Sequence, residues 1–161
     1  MTPGSHNKPT RNFFRSDRHL SLIFREAPNA VDTRLAKNME EPGICVVDDD
    51  PSVLRSLREL LGSDGFDAQI FDSPERFMDY ARTHSIRLAV LDVWMPTQSG
   101  LELQERLRTQ SPQTAVIIIT ARDGPNVRTR ALEGGAFAFL VKPFDDGEFL
   151  DAVRGALGEP D

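Results

Sequence analysis

Between residues 44 and 157, five short apolar runs alternate with five stretches of helical spacing. No other feature constrains the fold as strongly. The runs are Ile44–Val47, Ala68–Phe71, Leu88–Leu91, Ala115–Ile119 and Phe137–Val141. Four or five residues, often β-branched, suit a buried parallel strand. The stretches between them repeat on a helical period. Val53, Leu54, Leu57, Leu60 and Leu61 form one face, Phe77, Met78 and Ala81 a second, and Leu101, Leu103 and Leu107 a third. A weaker helix is predicted over about 125–133, and Phe149, Leu150, Val153 and Leu157 line the last. The punctuation agrees. Pro51 and Pro74 stand at first-turn positions, Ser73 at an N-cap, and Asp145 and Glu148 at capping-box spacing. Gly62 and Gly65 end the first helix, and Gly134-Gly135 the fourth. Strands alternating with helices predict an α/β fold, a doubly wound five-stranded parallel sheet with five helices.

At 161 residues the chain has the length of one domain. Residues 1–42 lack apolar periodicity and are read as a mostly disordered or weakly helical N-terminal extension. A short amphipathic helix around residues 16–26 is the sharper alternative, and Met39 offers a second start of translation. The domain is expected over 43–158, with 159–161 a tail. Residues 44–161 hold 12 basic and 20 acidic residues, a net charge of −8, which disfavours direct DNA binding. The single cysteine excludes an internal disulfide framework and a Cys-rich zinc site. The apolar runs are too short to span a bilayer, and no secretory signal is visible, so a cytoplasmic, non-membrane setting is expected.

In a parallel sheet of this kind, ligands bind outside the carboxyl ends of the strands, where the strand order reverses. The residues at those ends are Asp48-Asp49-Asp50, Asp92, Thr120 and Lys142. Two carboxylates about 4 Å apart repel by about 4 kcal/mol at an effective dielectric of 20, so three together call for a cation. Oxygen donors with water suit Mg²⁺, and no His or Cys cluster favours zinc. Lys142 is the only lysine after residue 43 and supplies a point charge that can meet a phosphoryl oxygen. A carboxylate nucleophile, a metal, a cation and a hydroxyl are the parts that phosphoryl transfer requires.

Val46-Val47-Asp48-Asp49-Asp50, Leu91-Asp92-Val93-Trp94-Met95-Pro96 with Gly100, Ile119-Thr120-Ala121 and Phe139-Leu140-Val141-Lys142-Pro143-Phe144 resemble the receiver domains of two-component response regulators. The spacings of 43, 28 and 22 residues from Asp49 through Asp92 and Thr120 to Lys142 fit as well. The resemblance implies a flavodoxin-like sheet of strand order 2-1-3-4-5. It also implies no enzyme activity beyond the domain's own phosphorylation and dephosphorylation. With nothing after residue 158 to form a DNA-binding domain, either a single-domain regulator acting by protein contact or a piece of a larger chain is expected. Asp92 is then the phosphoacceptor, served by a phosphohistidine of a sensor histidine kinase or phosphotransfer protein. Asp49, Asp92 and the backbone carbonyl of Trp94 would bind Mg²⁺, or Mn²⁺ in its place, with Asp48 acting through water. Lys142 would bind Asp92 and then the phosphoryl group. Thr120 and Phe139 would be the switch, altering the surface of the fourth helix, fifth strand and fifth helix for a downstream protein or a second copy. A cis peptide at Lys142-Pro143 belongs to the same pattern.

Taken singly, each residue also has a plain role. The aspartates serve as helix caps, Thr120 as a strand residue, Lys142 as a surface cation, Phe139 as core and Gly100 as turn relief. A haloacid-dehalogenase-like phosphatase is the rival enzyme, with Asp48-x-Asp50, Thr120 and Lys142 in its order. It leaves Asp92 unexplained. A phosphate-independent interaction module of the same fold is a third reading. Trp94 and Arg122 stand where smaller or polar residues are usual in the family. They are expected to shield an acyl phosphate from water, so a small polar residue at 94 should speed phosphate loss.

Overall fold

The computed structural model describes residues 43–159. The expectations for residues 1–42, including the 16–26 helix and Met39, lie outside the described residues, as does the end of the tail. Among the described residues five strands and five helices alternate: β1 (Ile44–Val47), α1 (Pro51–Ser63), β2 (Ala68–Phe71), α2 (Pro74–Ala81), β3 (Leu88–Asp92), α3 (Gly100–Gln110), β4 (Ala115–Thr120), α4 (Pro125–Glu133), β5 (Ala138–Val141) and α5 (Asp146–Leu157). The strands form one parallel sheet in the order β2-β1-β3-β4-β5.

Alternate strand residues point to opposite faces and build two cores. Cys45, Val47, Ala89, Leu91, Val116 and Ile118 meet the apolar sides of α2, α3 and α4. Ile44, Val46, Leu88, Val90, Ile117 and Ile119 meet α1 and α5. The helix faces predicted from periodicity are the buried ones, with Leu54, Leu57 and Leu61 fully inside and Val53 and Leu60 at the margin. Helix starts follow the local chemistry. The Asp50 carboxylate accepts from Ser52 N–H at 2.9 Å, and Ser73 caps α2 through Arg76 N–H. A reciprocal capping box sits on α3, between Ser99 and Glu102. On α5, whose sequence has the same spacing, Asp145 accepts from the Gly147 and Glu148 amides.

One strand starts later than its hydrophobicity suggests. Phe137 lies just outside β5 with 54% of its surface exposed, its amide still donating to Val116 O. Among the described residues no helix is long and apolar enough to cross a membrane.

Candidate functional site

Register decides what meets at the carboxyl edge. Val47 pairs with Leu91, so Asp48 and Asp92 follow side by side on β1 and β3, the adjacent strands where the order reverses. Asp92 pairs with Ile119, and Thr120 with Val141, which sets Thr120 and Lys142 at the same edge. The ladder runs on past the strand ends: Asp48 N–H donates to Phe71 O at 3.1 Å and Lys142 N–H to Thr120 O at 2.7 Å.

The structure brings Asp48, Asp49 and Asp92 together, with one carboxylate oxygen of each within 4.8 Å of the others. Asp48 and Asp92 are buried, and Asp49 is exposed at the mouth. Lys142 Nζ reaches both buried carboxylates, 2.7 Å from Asp48 Oδ2 and 3.3 Å from Asp92 Oδ1. One ammonium therefore bridges two of the three carboxylates. Burial, then the Asp48 charge, pushes the Asp92 carboxyl up to about 6 against the pull of Lys142. Burial also raises Asp48, although Lys142 and the Asp50 amide stabilise its charged form. For Lys142, burial alone disfavours the charge, but the hydrogen bond and attraction of Asp48 and the attraction of Asp92 outweigh it and raise its pKa.

The donor set fits a hard divalent cation. Three carboxylates with excess negative charge and an open side at Asp49 offer oxygen ligands and room for water, the coordination Mg²⁺ prefers. Nearby nitrogen and sulfur ligands of the zinc type are absent from the cluster.

Gly100 does more than relieve a turn. Its N–H donates to Val93 O at 3.0 Å, and a Cβ there would overlap the Asp92 carbonyl oxygen. The loop after β3 can fold back on Asp92 only because that position is bare. Thr120 is fully buried and is held by the next turn. Its Oγ1 donates to Arg122 O at 2.9 Å and accepts from Arg122 N–H at 3.1 Å. Trp94 is 49% exposed, and the Arg122 guanidinium lies 5.9 Å from its ring centroid. The two residues expected to flank the site thus touch each other. The Lys142-Pro143 peptide is cis. Asp50 is set apart, since its carboxylate caps α1 through Ser52, so the Asp48-x-Asp50 pair of the phosphatase reading does not converge.

The sequence matches the response regulator receiver domain over residues 44–154. The chain belongs to that family. The transcriptional regulatory protein CpxR of Escherichia coli K12 is 40% identical over 114 residues, covering 71% of this chain and 48% of CpxR. The solved response regulator StyR is 40% identical, with a TM-score of 0.67, 73% of this chain and 60% of that one. The beryllofluoride-activated NtrC4 receiver domain dimer is 29% identical, with a TM-score of 0.70, 72% of this chain and 96% of that one. The chain spans about half the length of the curated relatives it matches. It is a receiver domain of the two-component phosphorelay type, and its acidic cluster is consistent with a phosphoacceptor site.

Sequence reasoning missed one contact of the receiver. Arg128 of α4 lies over the Phe139 ring at 4.8 Å and pairs with Asp123 at 3.1 Å. No local pattern announces the ring contact, because the packing of α4 against β5 creates it.

Proposed function

We propose that Asp92 accepts a phosphoryl group from a phosphohistidine of a sensor histidine kinase or phosphotransfer protein. The carboxylate oxygen of Asp92 attacks phosphorus, an O–P bond forms, the P–N bond breaks, and the leaving imidazole nitrogen takes a proton. The observation that carries this reading is Lys142 Nζ within reach of both Asp48 and Asp92, beside the open Asp49.

Asp49, Asp92 and the Trp94 carbonyl would hold Mg²⁺, with Asp48 acting through water and Mn²⁺ able to substitute. The ion would neutralise charge on the transferred oxygens. Lys142 keeps Asp92 oriented and then pairs with the phosphoryl group. Asp92 is nucleophilic only as a carboxylate, and its raised pKa means that the metal-free site reaches that state near neutral pH.

Thr120 would leave Arg122 for a phosphoryl oxygen, Phe139 would move inward behind it, and the surface of α4, β5 and α5 would change for a downstream protein. Trp94 and Arg122, in contact, would shield the acyl phosphate. The activity would be confined to the domain's own phosphorylation and dephosphorylation, in a cytoplasmic setting. The beryllofluoride-activated state of NtrC4 supports a phosphoryl mimic as a probe here.

The test is incubation with a small-molecule phosphodonor and Mg²⁺, read by intact mass. One added phosphoryl group is expected on the wild type and none on Asp92→Asn. Incorporation that survives Asp92→Asn overturns the assignment.

A further inference from the structure

Thr120 and Phe139, the two residues of the proposed switch, are joined by a continuous run of contacts. Thr120 Oγ1 is held by the backbone of Arg122. The next residue, Asp123, takes the Arg128 guanidinium at 3.1 Å. That guanidinium covers the half-buried Phe139 ring on β5, 4.8 Å from its centroid. The helix carrying Arg128 is otherwise lightly held. In α4 only Ala131 is fully buried, and the N-cap Gly124 supplies no side-chain bond. The C-terminal part of α4 is tied by buried Gln104, whose Nε2 donates to Ala131 O at 2.9 Å. The half nearer the site rests on Arg128 and the partly buried Val127.

We infer that Arg128 is a positioning residue that clamps Phe139 in the unphosphorylated arrangement and links its movement to that of Thr120. This rests on the phosphoacceptor reading above and goes beyond it by naming what the switch must release. If the ring turns inward, the guanidinium loses the aromatic face it covers. If Thr120 leaves the Arg122 backbone, the adjoining Asp123 shifts and loosens its hold on Arg128. Each event weakens the same clamp, so each favours the other. A contact made only in one state shifts the equilibrium by its own free energy, so Arg128 opposes phosphoryl binding.

The experiment titrates beryllofluoride at fixed Mg²⁺, read by Trp94 fluorescence, on the wild type, Arg128→Gln, Arg128→Lys, Phe139→Leu and the Arg128→Gln/Phe139→Leu double variant. A cation–π contact at a partly exposed site predicts that Arg128→Gln binds about two- to fivefold more tightly. Arg128→Lys should fall between it and the wild type, and Arg128→Gln should have a clearly smaller effect in the Phe139→Leu background, where only the solvent-screened Asp123 pair is left to lose. Unchanged or weaker binding by Arg128→Gln, or the same gain without the Phe139 ring, overturns the clamp. The side-chain protons of Arg128 give a readout that needs no ligand. Ring current should shift them upfield by NMR in the free protein, and Phe139→Leu should remove the shift. Absence of that shift overturns the clamp by itself, whereas a wild type that shows it and fails to bind beryllofluoride sinks the phosphoacceptor reading instead.

Discussion

Two ion pairs at the carboxyl edge of the sheet mark two different kinds of structure. Lys142–Asp48 is 2.7 Å long, with side chains 21% and 1% exposed. Arg128–Asp123 is 3.1 Å long, with side chains 49% and 44% exposed. The first lies beside strands packed on both faces. Removing one partner there strands a buried charge, at a cost on the order of 3–5 kcal/mol. The second joins a loop to a lightly held helix, where water screens the charges and the pair contributes about 0–1 kcal/mol. The proposed chemistry therefore sits where displacement is expensive, and the proposed response where it is cheap.

Lys142→Met is the largest blow to that contrast. It leaves Asp48 and Asp92 facing each other without a counter-charge, and urea unfolding at pH 7 should show a loss on the order of 3–5 kcal/mol. The loss should shrink at pH 5, because protonation of the buried pair relieves the repulsion. A loss below about 1 kcal/mol at pH 7 would make the two ion pairs energetically alike and erase the distinction.

Next in size is the pH dependence of the metal-free domain. The Asp92 pKa is raised from 3.8 in the unfolded chain to about 6 in the fold. Between those values the folded state binds more protons than the unfolded one, so stability falls as pH rises through that window. Below about pH 4 this penalty is absent, and above about pH 6 it is fully present, on the order of 3 kcal/mol. Asp48 is shifted the same way and adds to the slope. Asp92→Asn should flatten much of the acidic limb and make the metal-free protein more stable than the wild type at pH 7. Chemical denaturation from pH 4 to 8 reads this directly. Parallel profiles for the two proteins would mean that Asp92 is not held against its ionisation.

What was readable in the sequence follows the same division. The sheet, its layers and the acidic cup were accessible because continuous apolar runs mark strands buried on both faces and the helical period marks the faces that cover them. Asp48, Asp92, Thr120 and Lys142 stand directly at strand ends, so that placing the strands places them. The Phe137 misplacement has a local cause. Its side chain is as apolar as its neighbours', but β5 starts one residue later, and residue pattern alone does not set a strand's first pairing. The Arg128–Phe139 contact was invisible for a different reason. It joins a helix to a strand through a guanidinium, a residue type that composition assigns to solvent. Gly100 was legible as a glycine, but not as the one position whose side chain would strike the Asp92 backbone.

The smallest effect tests whether α4 responds as a rigid body. Gly124, its N-cap, has φ −152° and ψ 143° and makes no side-chain bond. Ser73 begins α2 with φ −148° and ψ 149°, and its hydroxyl accepts from the N3 amide. Gly124→Ser therefore asks for no change of backbone, and its hydroxyl can share the Val127 amide, which already donates to Gly124 O at 3.0 Å. The nearest atom to a new Cβ is a Val127 methyl at 3.9 Å, ordinary contact distance. The added cap and the lower entropy of the unfolded chain should together stabilise the domain by about 0.5–1 kcal/mol, a rise of about 2–4 °C in Tm. If α4 moves whole, both states keep the new cap, and the fluorescence titration with beryllofluoride should match the wild type within about twofold. A matching Tm gain with clearly weaker beryllofluoride binding would mean that the first turn of α4 must open for the switch, moving the cheap region of the molecule from the helix's attachment to the helix itself.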